Sequence, residues 1–235
     1  MIETYIKELV TYGLNKGLVD PADEIYVTNR LLELFDIQEY NEPAEIPSRP
    51  LVDILNDMLD YAYQHKLMED DTITNRDLFD TKIMGMLTPA PSVVRKIFAD
   101  KYAVSPKEAT NYYYAFSKAT NYIREDRIAK DEKWVTETEY GPIDITINLS
   151  KPEKDPRDIA KAGKAKKSGY PACLLCRENE GYAGHFSHPA RQNHRIMPIT
   201  LDGQAYYLQY SPYVYYNEHC IICLLYTSPS PRDCS

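Results

Sequence analysis

No stretch of this 235-residue sequence approaches the ~20 consecutive apolar residues of a membrane-spanning helix, so no membrane partner is expected. The N-terminus, MIETYIKELV, has no basic segment ahead of an apolar run, and no signal peptide is read there. Cysteine is scarce and odd in number, five in all, and two of the five form a Cys-x-x-Cys. That fits a reducing cytoplasm better than a disulfide framework. There is one Trp, no internal repeat and no low-complexity tract. Positive charge is short as well. Residues 1–150 hold 16 basic and 27 acidic residues, a net of −11, which would repel a phosphate backbone and argues against nucleic acid as a partner.

What is abundant is tyrosine, 21 residues, which brings apolar area together with a hydroxyl that needs a partner. The charge also changes sign along the chain. Residues 151–222 hold 10 basic and 7 acidic residues, a net of +3, compatible with a small phosphorylated ligand.

Residues 1–130 read as helices. Ile2, Ile6, Leu9 and Val10 share a face, with stops at Gly13 and Gly17. Asp20-Pro21 opens a second helix. Three prolines make 39–50 a loop, and Leu51 to Lys66 is a third helix, with His65 as a cation at its C-terminal end. Helices are expected over Thr74–Leu87 and Pro91–Lys101. Ser105-Pro106-Lys107-Glu108 matches a capping box that opens one more.

The period then changes. WVTETEY and IDITINL alternate on either side of Gly141-Pro142, which predicts a hairpin. The basic stretch around 151–168 reads as a solvated loop with a short helix, or as an arm near an anionic substrate. Strands follow around Arg195–Ile199, over AYYLQYS after the turn Asp202-Gly203, and at HCII. The fold class is therefore α+β: a helical region, 1–130, followed by a mostly antiparallel sheet, 131–222.

Four of the five histidines (His185, His188, His194, His219) and three cysteines (Cys173, Cys176, Cys220) fall between Gly169 and Ile222. Cys-x-x-Cys with nearby histidines is a pattern for a tetrahedral zinc site. Cys173, Cys176, His188 and His194 nearly match the spacing of a two-Cys, two-His finger. Pro189 interrupts where that finger needs a helix, and its large apolar residues are missing.

The segments YPACLLCRENEGYAGHFSHPARQNHRIMPI and YSPYVYYNEHCII, with YGPIDITINLSKPEKDPRDIA upstream, resemble galactose-1-phosphate uridylyltransferases, specifically their second sequence class, typical of Gram-positive bacteria. The similarity covers nearly all of residues 1–222. It implies the first part of a histidine-triad-like nucleotidyltransferase domain that exchanges the uridylyl group between UDP-glucose and galactose 1-phosphate. A histidine in a His-x-His motif is the family's nucleophile, and imidazole suits that role near neutral pH. No His-x-His occurs here. The resemblance also implies that Cys173 and Cys176 match a metal-binding pair, with zinc as the cofactor. Asn193 and Arg195 are the candidates for substrate contact, as an amide suits a uracil edge and a guanidinium suits phosphate. It leaves a homodimer open.

The last thirteen residues, CLLYTSPSPRDCS, break the alternation of the strand before them and resemble a translated sequencing-adapter read-through. The expectation is therefore an N-terminal fragment, inactive by itself, whose native sequence departs after Ile222. A different function class stays open: a zinc-ribbon-like binding module in which Cys220 and Cys223 supply a second thiolate pair and the helices meet a protein partner.

Overall fold

The computed structural model describes residues 1–147, 149, 169–212 and 216–224. Most of the basic stretch, and residues 225–235, lie outside the described residues. Among the described residues the order is seven helices and then two small antiparallel sheets, the α+β arrangement expected.

Capping sets the helix boundaries. Helix α1 (Ile2–Asn15) ends where Gly17 turns left-handed at φ +67° and the Leu18 N–H reaches back to the Gly13 carbonyl at 2.8 Å. Asp20 accepts from the Ala22 N–H at 2.9 Å, but the turn it opens is a 3-10 turn, Pro21–Asp23, and α2 proper is Glu24–Leu34. Helix α3 (Leu51–Gln64) ends at His65, whose Nδ1 lies 2.9 Å from the Tyr61 carbonyl. Thr72 caps α4 (Ile73–Leu87), and α5 (Pro91–Val104) runs three residues past its expected end. Ser105 accepts from the Glu108 N–H at 3.1 Å and opens α6 (Pro106–Ala119). A single turn, α7 (Glu125–Ile128), has no apolar period and was not expected.

The proline-rich loop is strapped down by charge. Arg49 donates Nε and Nη2 to the buried carboxylate of Glu8 at 2.9 and 2.8 Å, and Nη1 to Asp57 at 2.7 Å. A two-pronged pair of this kind fixes geometry as well as charge.

Strands β1 (Glu132–Thr138) and β2 (Gly141–Ile147) form the expected hairpin, but the tight turn is Glu139-Tyr140. Gly141, at φ +108°, and Pro142 already belong to β2. The second sheet runs β3 (Met197–Leu201), β4 (Gln204–Tyr210), β5 (Cys220–Leu224) in that order. Asp202 and Gly203 both take positive φ, as a two-residue hairpin turn of the right twist requires.

Helices and sheet share one core. Met197, Leu208 and Tyr210 belong to the same buried cluster as Ile6, Leu9, Leu31, Met58 and Ile83. The seam is tyrosine. Tyr113 of α6 is fully buried, packs 5.0 Å from the Tyr210 ring and donates its hydroxyl to the Arg195 carbonyl. Tyr210 returns a hydroxyl to the Thr110 carbonyl at 3.2 Å. Each ring removes a large apolar area from water while its hydroxyl finds a backbone acceptor.

Candidate functional site

The segment from Cys173 to Ile196 is irregular, and side chains anchor it. Asn179, fully buried, donates Nδ2 to the carbonyls of Cys173 (2.7 Å) and Cys176 (2.9 Å), and its Oδ1 takes the His188 Nε2 proton at 2.6 Å. One amide thereby joins the Cys-x-x-Cys turn to the histidine loop. That loop is pinched by paired backbone bonds between His185 and His188, at 2.8 and 3.0 Å. Gly184, at φ +77°, allows the close approach. A Cβ there would lie 2.4 Å from the Ala190 nitrogen. Burial lowers the His188 pKa, with His185 and Arg191 adding to the effect.

The two cysteines flank one turn, with the Cys176 sulfur against the Cys173 backbone. The Cys176 thiol donates toward the Cys173 carbonyl (3.1 Å) and Glu178 (3.4 Å), and burial pushes its pKa up to about 11. Two thiols and a neighbouring carboxylate do not close a tetrahedral shell. Among the described residues no group of three or more His, Cys, Asp or Glu side chains is placed to hold a metal ion. Cys220 and Cys223 stand three residues apart in β5, so their side chains leave opposite faces of the sheet. They cannot converge as the second half of a zinc ribbon while that strand is formed.

Asn193 and Arg195 are both buried, and they bind the ends of helices. Asn193 donates Nδ2 to the Thr120 carbonyl at the C-terminus of α6, at 2.8 Å. Arg195 donates to four carbonyls: Pro89 at 2.7 Å, Thr88 at 3.1 Å, His194 at 2.7 Å and Gln192 at 3.0 Å. Thr88 and Pro89 close α4, where the helix dipole favours a cation. Burial lowers the Arg195 pKa to about 10, with Glu180 opposing, so the guanidinium stays charged at neutral pH.

Arg95 of α5 grips the same segment. It donates Nη2 to Glu180 at 2.5 Å and Nε to the Ile196 carbonyl at 3.2 Å, while Glu180 accepts from the Ile196 N–H at 2.8 Å. Asn179, Glu180, Gln209 and Arg95 all hold this lobe, and no sequence motif marks any of them. The one hint was density: Arg177-Glu178-Asn179-Glu180 directly follows the cysteine pair.

His194 is the most unusual group. It is buried, stacked at 3.9 Å on Tyr122, and hydrogen-bonded through Nε2 to Gln209 Oε1 at 3.2 Å. The Gln209 amide nitrogen is committed to the Leu175 carbonyl at 2.8 Å, so its oxygen faces the imidazole. The His194 proton then sits on Nε2, and Nδ1 is left buried without a partner. Burial drives the His194 pKa from 6.5 down to about 3, with Arg191 adding to it. A depressed histidine stabilises the fold fully above pH 6.5, and that contribution is lost as pH falls toward 3. The slope in that window is roughly 1.4 kcal/mol per pH unit. His194→Gln should therefore flatten the acid limb of stability, read as urea midpoints across the window. Parallel acid limbs in the two proteins would count against a buried neutral imidazole.

Comparison with known proteins bears on the same lobe. The model of the galactose-1-phosphate uridyl transferase N-terminal domain matches residues 17–229. A galactose-1-phosphate uridylyltransferase of Clostridium acetobutylicum is 54% identical over 224 residues, covering 94% of this chain and 45% of its own length. Those of Butyrivibrio fibrisolvens and Bacillus subtilis are 52% and 47% identical, with 57% and 43% of their lengths covered. This chain thus spans about half the length of the curated relatives it matches. No solved structure matches it. With a family match over most of its residues and relatives about half identical across nearly all of it, the chain belongs to the galactose-1-phosphate uridyl transferase family, through that family's N-terminal domain.

Proposed function

We propose that the full-length polypeptide transfers a uridylyl group between UDP-glucose and galactose 1-phosphate, and that this chain supplies part of its nucleotide-binding half. The observation that carries the reading is the family match over residues 17–229, together with relatives of that name, one of them 54% identical over 224 residues. In this reaction an imidazole nitrogen forms a bond to the α-phosphorus of UDP-glucose, and the bond to the departing glucose 1-phosphate breaks. A phosphate oxygen of galactose 1-phosphate then attacks the same phosphorus and releases the histidine.

Three of the chain's five histidines are engaged in packing: His194 is buried and stacked on Tyr122, His188 is tied to Asn179, and His65 sits against the Tyr61 carbonyl at the end of α3. The nucleophile of this reading is the family's His-x-His, a motif that does not occur in this sequence. Asn193 and Arg195 shape the lobe from within. Direct contact of either with a nucleotide would require release from the helix-end carbonyls they now hold.

The protein ending at Ser235 should then form no UDP-galactose from radiolabelled UDP-glucose and galactose 1-phosphate. Loss of a covalent nucleophile costs many orders of magnitude in rate. Turnover by that protein would place the nucleophile among its own histidines and overturn the assignment.

Zinc enters the reading only as a half-site. Cys173 and Cys176 would give two thiolates, the remaining donors would come from residues outside those described, and no step of the transfer runs through the metal. Metal analysis of the full-length protein should find zinc that Cys173→Ser removes. If neither protein contains zinc, the pair is packing alone.

A further inference from the structure

Among the described residues, one face of the β1–β2 hairpin is left largely uncovered. Its register pairs Trp134 with Ile145 and Thr136 with Ile143, and sets Ile147 opposite Glu132, so Trp134, Ile143, Ile145 and Ile147 share one side with Glu132, Thr136 and Thr138. The other side carries Lys133, Val135, Glu137, Pro142, Asp144 and Thr146. Four large apolar side chains gathered on one side, against one on the other, are the pattern of a sheet with one covered face and one wet face. Yet Trp134 is 44% exposed, Ile143 49% and Ile147 44%. Among the described elements, neither strand packs broadly on any but its partner. A two-stranded ribbon alone is marginal in water and needs a third strand or a packing partner.

The size of the face decides what kind of cover it fits. Seven residues at ~3.4 Å, over two strands ~4.8 Å apart, give a footprint of about 24 by 10 Å, on the order of 250 Å². A stable dimer takes roughly 800 Å² from each partner. By itself the face is too small to hold a second copy, which must also offset the lost freedom of a separate molecule. A segment of the same polypeptide carries no such cost. The relatives are about twice as long as this chain, so they contain such a segment.

We propose that the apolar face of the hairpin is an intramolecular docking surface for the C-terminal half of the full-length polypeptide, with Trp134 at its centre. This rests on the reading of the chain as the N-terminal part of that enzyme.

The test uses the one tryptophan of the chain. In full-length protein encoded by the native locus, the Trp134 signal is the emission of wild type minus that of Trp134→Phe. It should be blue-shifted and quenched by acrylamide several-fold less than N-acetyltryptophanamide, and equally so at every protein concentration. The double variant Ile143→Ser, Ile147→Ser should return its quenching toward the free value, while Val135→Ser on the wet face should not. Quenching like the free indole overturns the proposal, as does shielding that disappears on dilution, which would assign the face to a second copy. A locus that encodes nothing past Ser235 overturns it too. Uridylyl transfer measured on the same preparation separates the two readings. Transfer with an exposed Trp134 removes only this inference, and a shielded Trp134 without transfer removes only the functional one.

Discussion

The structure depends on one buried cation. Arg195 places a guanidinium where water is excluded, at a cost of several kcal/mol for an uncompensated charge. Four carbonyls, the C-terminal dipole of α4 and the nearby Glu180 carboxylate offset that cost. Two of those carbonyls, Thr88 and Pro89, belong to the helical region, and the other two to the segment that leads into β3. The clamp therefore joins stretches more than a hundred residues apart in sequence. It is braced on both sides: Tyr113 hydrogen-bonds the Arg195 carbonyl, Asn193 caps α6, and Arg95 with Glu180 holds Ile196. Gly85 lets α4 approach closely, because a Cβ there would sit 2.7 Å from Gln192 Cβ.

From that clamp the lobe is built outward as a chain of satisfied polar groups. Gln209 on β4 links the His194 imidazole to the carbonyl of Leu175, inside the Cys-x-x-Cys turn. Asn179 links the same turn to His188. In a low dielectric each such bond is worth more than in water, and a missing one costs more. The lobe consequently has a defined shape without long secondary structure.

What the sequence disclosed follows the range of the interactions. Asp20, Ser105 and the Asp202-Gly203 turn act within a few residues, so the helix starts and the β3–β4 hairpin were legible. The β1–β2 turn was misplaced by two residues, since Gly141-Pro142 looks like a breaker, whereas glycine at positive φ and proline at an edge can both begin a strand. Helix α7 is too short to show a period. Asn193 and Arg195 suit a uracil edge and a phosphate by residue type, but their partners here, Thr120, Thr88 and Pro89, are 73 to 107 residues away. No local pattern reports that. The family resemblance was legible because it lies in the order of many residues at once, and the comparison with curated relatives agrees with it.

The central claim is that Arg195 holds the helical region and the Cys-x-x-Cys lobe together as one unit. Urea unfolding of Arg195→Met tests it most directly, because methionine keeps much of the apolar stem and removes the five donors. The account predicts a loss of about 3–5 kcal/mol, the range for breaking a buried charged network, with helical and tyrosine signals no longer changing together. A variant within about 0.5 kcal/mol of wild type, the range for an ordinary surface substitution, and unfolding in a single step would contradict it.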